Sequence, residues 1–182
     1  LEPFTGIKYL DLRGNNFTDL TPIIALKRLE QLDLGYTDAQ VNYDVVGELV
    51  GLERLSLSYS KCCYSNGASI GDAPWLSNLA RLTYLDLNGS GLTSLDGVVV
   101  LPALTELYVG SNPDLDVSGL SGLTRLRGLG VSDLGLSDLE FVSGLTELNH
   151  LHLYNNQLTS LTLSDFPNLG YVQAQNNQIT TI

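Results

Sequence analysis

The sequence predicts an α/β solenoid: a right-handed coil with a concave parallel sheet of about eight strands and short 3₁₀ or α-helical returns on its convex side. Three observations predict it. A segment L-x-L followed by a small polar residue recurs, its leading residue at Leu10, Leu32, Leu55, Leu85, Leu107, Leu129, Leu151 and Val172. The steps are 22, 23, 30, 22, 22, 22 and 21 residues, and so regular a period outweighs any local motif. The alternation at L-x-L has the period of a strand with its leucines inward. The rest of each unit carries apolar columns three residues apart, the spacing of a 3₁₀ or short α-helical turn.

Each element has its own residues. The strands lie in "LDLRGN", "LDLGYT", "LSLSYS", "LDLNGS", "LYVGSN", "LGVSDL", "LHLYNN" and "VQAQNN". After each strand one position holds Asn15, Asn112, Asn156 and Asn177, with Thr37, Ser60 and Ser90 as substitutes. An amide there bonds the backbone of its own turn and of a neighbouring rung, forming a ladder. Leu134 holds this position in rung six, where a local distortion or a water is expected. In the returns, Ile23, Val46, Leu76, Val98, Leu120, Val142 and Leu163 stand three residues before Leu26, Leu49, Leu79, Leu101, Leu123, Leu145 and Phe166. Rung three is 30 residues long, the surplus lying in "KCCYSNGASIGDAPW" (61–75), whose Gly, Ser, Asn and Pro predict a loop. Trp75 is expected to pack that loop's return onto the convex side.

The bulk composition excludes several functions. The net charge is −11 with three lysines, which disfavours nucleic acid and anionic membrane as partners. Arg127 is the last basic residue, so the C-terminal part carries a negative field suited to basic partners. No apolar run approaches the roughly 20 residues of a membrane span, so no membrane insertion is expected. Cys62 and Cys63 are adjacent, which makes neither a disulfide framework nor a zinc site.

"LDLRGNNFTDLTPIIALKRL" (10–29) and "LHLYNNQLTSLTLSDFPNL" (151–169) resemble leucine-rich repeats, and the 22-residue length resembles the SDS22-like class that includes the bacterial internalins and a phosphatase-regulating subunit. The resemblance covers the whole chain and implies a leucine-rich repeat horseshoe. It also implies a protein-recognition module, most like a bacterial surface or secreted adhesin. A cytoplasmic regulatory scaffold and a structural repeat that self-associates end to end are the alternatives. Such scaffolds carry many recognition tasks, so the fold alone names no partner.

Residues flanking the strand leucines point out of the concave sheet. One column reads Tyr9, Gln31, Arg54, Tyr84, Glu106, Gly128, His150, Tyr171. The next reads Asp11, Asp33, Ser56, Asp86, Tyr108, Gly130, His152, Gln173, and a third includes Arg13, Ser58, Gly110, Ser132 and Tyr154. Tyr36 and Tyr59 fall one place later, at the lip. Seven of the nine tyrosines therefore lie on or beside this face. Tyrosine offers large contact area at low rotamer cost, as binding surfaces require. The expected partner-binding residues are Tyr9, Asp11, Asp33, Tyr36, Arg54, Tyr59, Tyr84, Asp86, Tyr108, His150, His152, Tyr154 and Tyr171. Gly128, Gly130 and Ser132 make rung six bare, which predicts a gap dividing the face. Asp11 and Asp33 are expected to be solvated or paired with Arg13 and Arg54.

His150 and His152 point the same way about 7 Å apart, yet no third ligand is in view. No nucleophile–base pair or phosphate-binding loop stands out, and an open sheet offers no enclosed pocket. No metal, cofactor or enzymatic activity is expected. The chain reads as one domain over 1–182. It contains no Met and shows no polar cap at either end, so it is expected to be a segment of a longer protein.

Overall fold

The computed structural model describes residues 6–37, 41–59 and 69–182. Eight three-residue strands form one parallel sheet in chain order: β1 Tyr9–Asp11, β2 Gln31–Asp33, β3 Arg54–Ser56, β4 Tyr84–Asp86, β5 Glu106–Tyr108, β6 Gly128–Gly130, β7 His150–His152 and β8 Tyr171–Gln173. Every pairing sets leucine against leucine, or against Val172 at the last, so the period of the sequence is the register of the sheet. The strand leucines of the inner rungs, Leu32, Leu55, Leu85, Leu107, Leu129 and Leu151, are buried, as are Leu34, Leu57, Leu87, Val109, Val131 and Leu153 two residues on.

The returns are 3₁₀ segments at Thr21–Ala25, Tyr43–Glu48, Pro74–Asn78, Ser118–Gly122 and Glu140–Val142, with one α-turn, α1, at Asp96–Val99. The spacing of three is itself a hydrogen-bond pattern. The amide of Leu26 donates to the Ile23 carbonyl (2.9 Å) and that of Leu29 to Leu26 (2.9 Å), and the same step recurs at Leu79, Leu101, Leu123 and Leu145. Trp75 is buried on the Pro74–Asn78 return, as expected, and packs on Gly47, whose missing Cβ would lie 3.1 Å from the Trp75 Cβ. The insertion rejoins the repeat where Gly71 bridges Leu92. Ser60, Cys62, Cys63 and most of the predicted loop lie outside the described residues.

After each strand the chain turns through one left-handed residue, four places after the leading leucine: Gly14, Tyr36, Tyr59, Gly89, Ser111, Asp133, Asn155 and Asn176, with φ between 54° and 68°. The polar position follows directly. Thr37 and Ser90 donate to the Leu34 and Leu87 carbonyls of their own rungs, each at 2.8 Å. Asparagine also reaches the rung before. Asn112 Nδ2 donates to the Leu87 and Val109 carbonyls while its Oδ1 accepts from the amides of Gly91 and Leu92. Asn156 and Asn177 repeat the arrangement.

The distortion expected at Leu134 does not occur. Asp133 keeps φ 58°, and Asn156 of the next rung accepts from the Leu134 and Leu136 amides, each at 3.1 Å. Rung five also needs less from this position, because the residue after Asn112 is Pro113, which has no N–H to satisfy. Asn156→Ala strands donors and acceptors of two rungs at once. It is expected to lower unfolding free energy in urea by about 3 kcal/mol; a loss under about 1 kcal/mol would show that the ladder contributes little.

Candidate functional site

The open face follows from the register. Tyr9, Gln31, Arg54, Tyr84, Glu106, Gly128, His150 and Tyr171 align across the strands, and Asp11, Asp33, Ser56, Asp86, Tyr108, Gly130, His152 and Gln173 form the next row. The structure brings most of the expected binding residues together and gives them partners.

A file of rings crosses the sheet. The Arg54 guanidinium lies 3.8 Å from the centre of the Tyr84 ring. Ring centroids then follow at 5.6 Å from Tyr84 to Tyr108, 5.6 Å from Tyr108 to His152, and 5.8 Å from His152 to Tyr171. His150 packs on Tyr171 from its other neighbour position, also at 5.8 Å. These separations suit offset and edge-to-face aromatic contacts.

The step from Tyr108 to His152 skips a rung, and this overturns the expected gap. Tyr108 lies across rung six. A Cβ on Gly130 would sit 2.6 Å from Tyr108 Cδ1, and one on Gly128 would sit 3.3 Å from its hydroxyl. Both glycines are consequently buried on what would otherwise be the solvent face. The missing side chains make a bed for the ring, so the file continues where a cleft was expected.

Tyr36 and Tyr59 form a second aromatic group at the lip, stacked at 5.3 Å with a 23° interplanar angle. Both sit at the left-handed turn position, at φ 55° and 54°. Glycine, asparagine, aspartate or serine fills that position in the other six rungs, and a bulky side chain there is strained. Tyr59 leans over Gly89, whose Cβ would meet its ring at 2.8 Å. Burial raises the Tyr59 phenol pKa, and the neighbouring Tyr154 adds to the shift.

The charged groups divide into a paired set and an unpaired one. Arg13 grips Asp11 (2.7 Å) and reaches Asp33 (3.4 Å), as expected. Its hydrogen bonds hold the Asp11 carboxyl at about 2. Arg54 does not join that group, contrary to expectation, because the Tyr84 ring claims it. Tyr9 stands apart from the ring file, well exposed, with its hydroxyl 3.4 Å from Asp11. Asp86 accepts from the Asn88 amide at 3.1 Å, and among the described residues no cation pairs with it. Burial, with Asp33 adding to it, pushes the Asp86 carboxyl up to about 6. Burial likewise pushes the Tyr84 phenol to about 12 and raises that of Tyr108, so both remain neutral donors near pH 7. His152 titrates below 6.5 because burial, then His150, disfavour its charge.

The sequence reading missed the floor. Tyr9, Asp33, Tyr36, Arg54, Tyr84 and Asp86 surround a cavity of about 350 Å³ over rung three, floored by Ser56 and Ser58. Their small size was the available signal. Among the described residues no three His, Cys, Asp or Glu side chains are grouped to hold a metal, and no helix is long and apolar enough to cross a membrane.

Known proteins share this architecture. The Leucine Rich Repeat family model matches residues 6–26 and 147–169. No curated protein matches the chain in sequence. An internalin of Listeria monocytogenes (inlF) is 27% identical with a TM-score of 0.78, over 97% of this chain and 50% of that one. Internalin C2 of the same organism is 26% identical with a TM-score of 0.80, over 96% of this chain and 74% of that one. A leucine-rich repeat protein of Leptospira interrogans, 23% identical with a TM-score of 0.75, shares the fold over 96% of this chain and 44% of its own. The chain thus spans about half the length of the first relative.

Two substitutions test this geometry. Gly130→Ala is expected to lift Tyr108 off rung six, so that nuclear Overhauser contacts between Tyr108 and His152 vanish; their persistence would mean that the glycines do not set the ring's position. Asp86 binds protons more tightly folded than unfolded, so its contribution to stability falls as pH rises from about 4 to 6. Asp86→Asn should therefore raise unfolding free energy at pH 7 by about 1–2 kcal/mol, with the gain disappearing near pH 4. A pH-independent difference in urea titrations would contradict the assignment.

Proposed function

We propose that this chain, a leucine-rich repeat protein of the internalin-like class, recognises a protein partner across the open face of its sheet, as a secreted or surface protein of a bacterium. The observation that carries the reading is the ring file from Arg54 to Tyr171, bedded on rung six by Gly128 and Gly130. Rungs three to eight span five strand spacings, about 24 Å, which is the width of a protein footprint rather than of a small molecule.

The rings present flat apolar area with hydroxyl and imidazole groups at their edges, and packing against one another restricts them before any partner arrives. Rotamer entropy otherwise spent on binding, roughly 0.5–1.5 kcal/mol per side chain, is thereby reduced. Tyr84, Tyr108, Tyr154, Tyr171, His150 and His152 serve as anchors. Tyr9, Asp11, Asp33, Tyr36, Arg54, Tyr59 and Asp86 shape specificity at the other end. The two internalins of Listeria monocytogenes support the bacterial surface setting.

Affinity capture with the wild-type chain and with a Tyr84/Tyr108/Tyr154→Ala variant, both checked for cooperative unfolding, tests the proposal. One anchor alone is expected to contribute about 2 kcal/mol, or about 30-fold, and the triple variant should lose more than that in affinity for whatever the wild type retains. Equal affinity of the two would place recognition elsewhere. Fractionation of the source cell should recover the protein at the surface or in the medium, and recovery from cytosol would refute the extracellular part.

A further inference from the structure

Two rungs carry small side chains on the open face, and they differ in what covers them. Tyr108 fills the space over rung six. Over rung three the space stays open as the cavity of about 350 Å³, within the range of built ligand sites. Its floor is Ser56 and Ser58, with hydroxyls 3.2 Å apart. The register Asp33–Ser56–Asp86 sets a carboxylate-bearing residue on each side of Ser56, one strand spacing of about 5 Å away. Tyr36 and Tyr84 supply aromatic walls.

We infer that this notch receives the basic side chain, lysine or arginine, of a protein partner, an assignment that rests on the open face being the protein-binding surface. Two carboxylate-bearing residues, Asp33 and Asp86, line the notch beside two arginines, Arg13 and Arg54, and both arginines are already engaged. Arg13 is committed to Asp11 and Asp33, at 2.7 and 3.4 Å. Arg54 lies over the Tyr84 ring at 3.8 Å. Asp86, half-buried, takes hydrogen bonds from the Asn88 amide at 3.1 Å and from the Ser58 side chain and has, among the described residues, no ion-pair partner. Its raised pKa is the sign of a carboxylate removed from water without a counter-ion.

An incoming ammonium or guanidinium supplies that counter-ion through charge-assisted hydrogen bonds. The aliphatic stem of such a side chain packs on tyrosine while its head reaches the floor. An acidic side chain would meet Asp33 and Asp86, and an apolar one would cover them without a bond. The chain's net charge of −11 draws basic partners toward it at long range.

Titration of the isotopically labelled 182-residue chain with acetyl-Gly-Lys-Gly-amide, its arginine counterpart and its norleucine counterpart, followed by amide chemical shifts, tests the assignment. At least one basic peptide is expected to shift the amides of Gly35, Ser56, Ser58 and Asn88 and to saturate in the millimolar range, while norleucine leaves them in place. The lysine and arginine arms show which head group fits better. Asp86→Asn keeps the size of the side chain and should weaken binding about fivefold or more. Ser56→Leu fills the notch and should abolish it, with dispersed spectra confirming the fold. The assignment fails if neither basic peptide shifts these amides up to about 50 mM, if norleucine matches them, or if Asp86→Asn binds as tightly as wild type. The two proposals separate cleanly. Silent peptides beside tyrosine-dependent capture overturn the notch alone, whereas peptide binding beside tyrosine-independent capture overturns the wider face.

Discussion

A three-residue strand has two side chains facing one way and one facing the other, and a slip of one residue in its pairing exchanges core for solvent. Across the eight strands that exchange would pull buried leucines into water and push Asp33, Asp86 and the histidines into the core. The leucine-on-leucine register therefore determines everything displayed on the open face. It is reinforced from the side by the asparagine ladder, in which one amide holds carbonyls and amides of two successive rungs. Because both devices act between neighbours, a single rung can change its exposed side chains without disturbing the sheet. Rung six, with glycine at both strand positions on the open face, shows how far that freedom extends.

The open face holds features that cost stability. Tyr36 and Tyr59 occupy left-handed positions that disfavour bulky side chains, at a cost of order 1–3 kcal/mol each. Asp86 is half-buried and, among the described residues, has no counter-ion. Gly128 and Gly130 surrender strand propensity. Each of these lies beside an aromatic contact or the rung-three notch, and none is required by the leucine core. Left-handed backbone also occurs at Ala73 on the convex return (φ 43°), but bulky rings at left-handed positions, an uncompensated carboxylate and strand glycines gather at the open face, as a binding surface would require.

The sequence made the scaffold legible because the scaffold is periodic: strand positions, return columns and the polar ladder all follow from the 22-residue step and match the observed register. The candidate face was legible as columns, which register alone determines. Its texture was not. That Tyr108 lies over rung six depends on a rotamer and on the absence of two Cβ atoms, and the columns showed only bare positions there. Arg54 was expected beside the aspartates because column spacing ignores the pull of a neighbouring ring. The notch over rung three depends on which neighbours lean away from it, a property of several side chains together. A second overlooked signal, besides the small floor residues, lay in the turn column, where Tyr36 and Tyr59 interrupt a run of residues suited to positive φ.

On this geometry the aromatic file is ordered before a partner arrives. Carbon relaxation of the Tyr84, Tyr108, His152 and Tyr171 rings in the free chain measures this directly. Bedded and mutually packed rings should be restricted on the picosecond–nanosecond timescale, with order parameters approaching the rigid backbone value of about 0.85. Order parameters below about 0.6 would describe side chains that sample several rotamers, and would contradict a preformed recognition surface.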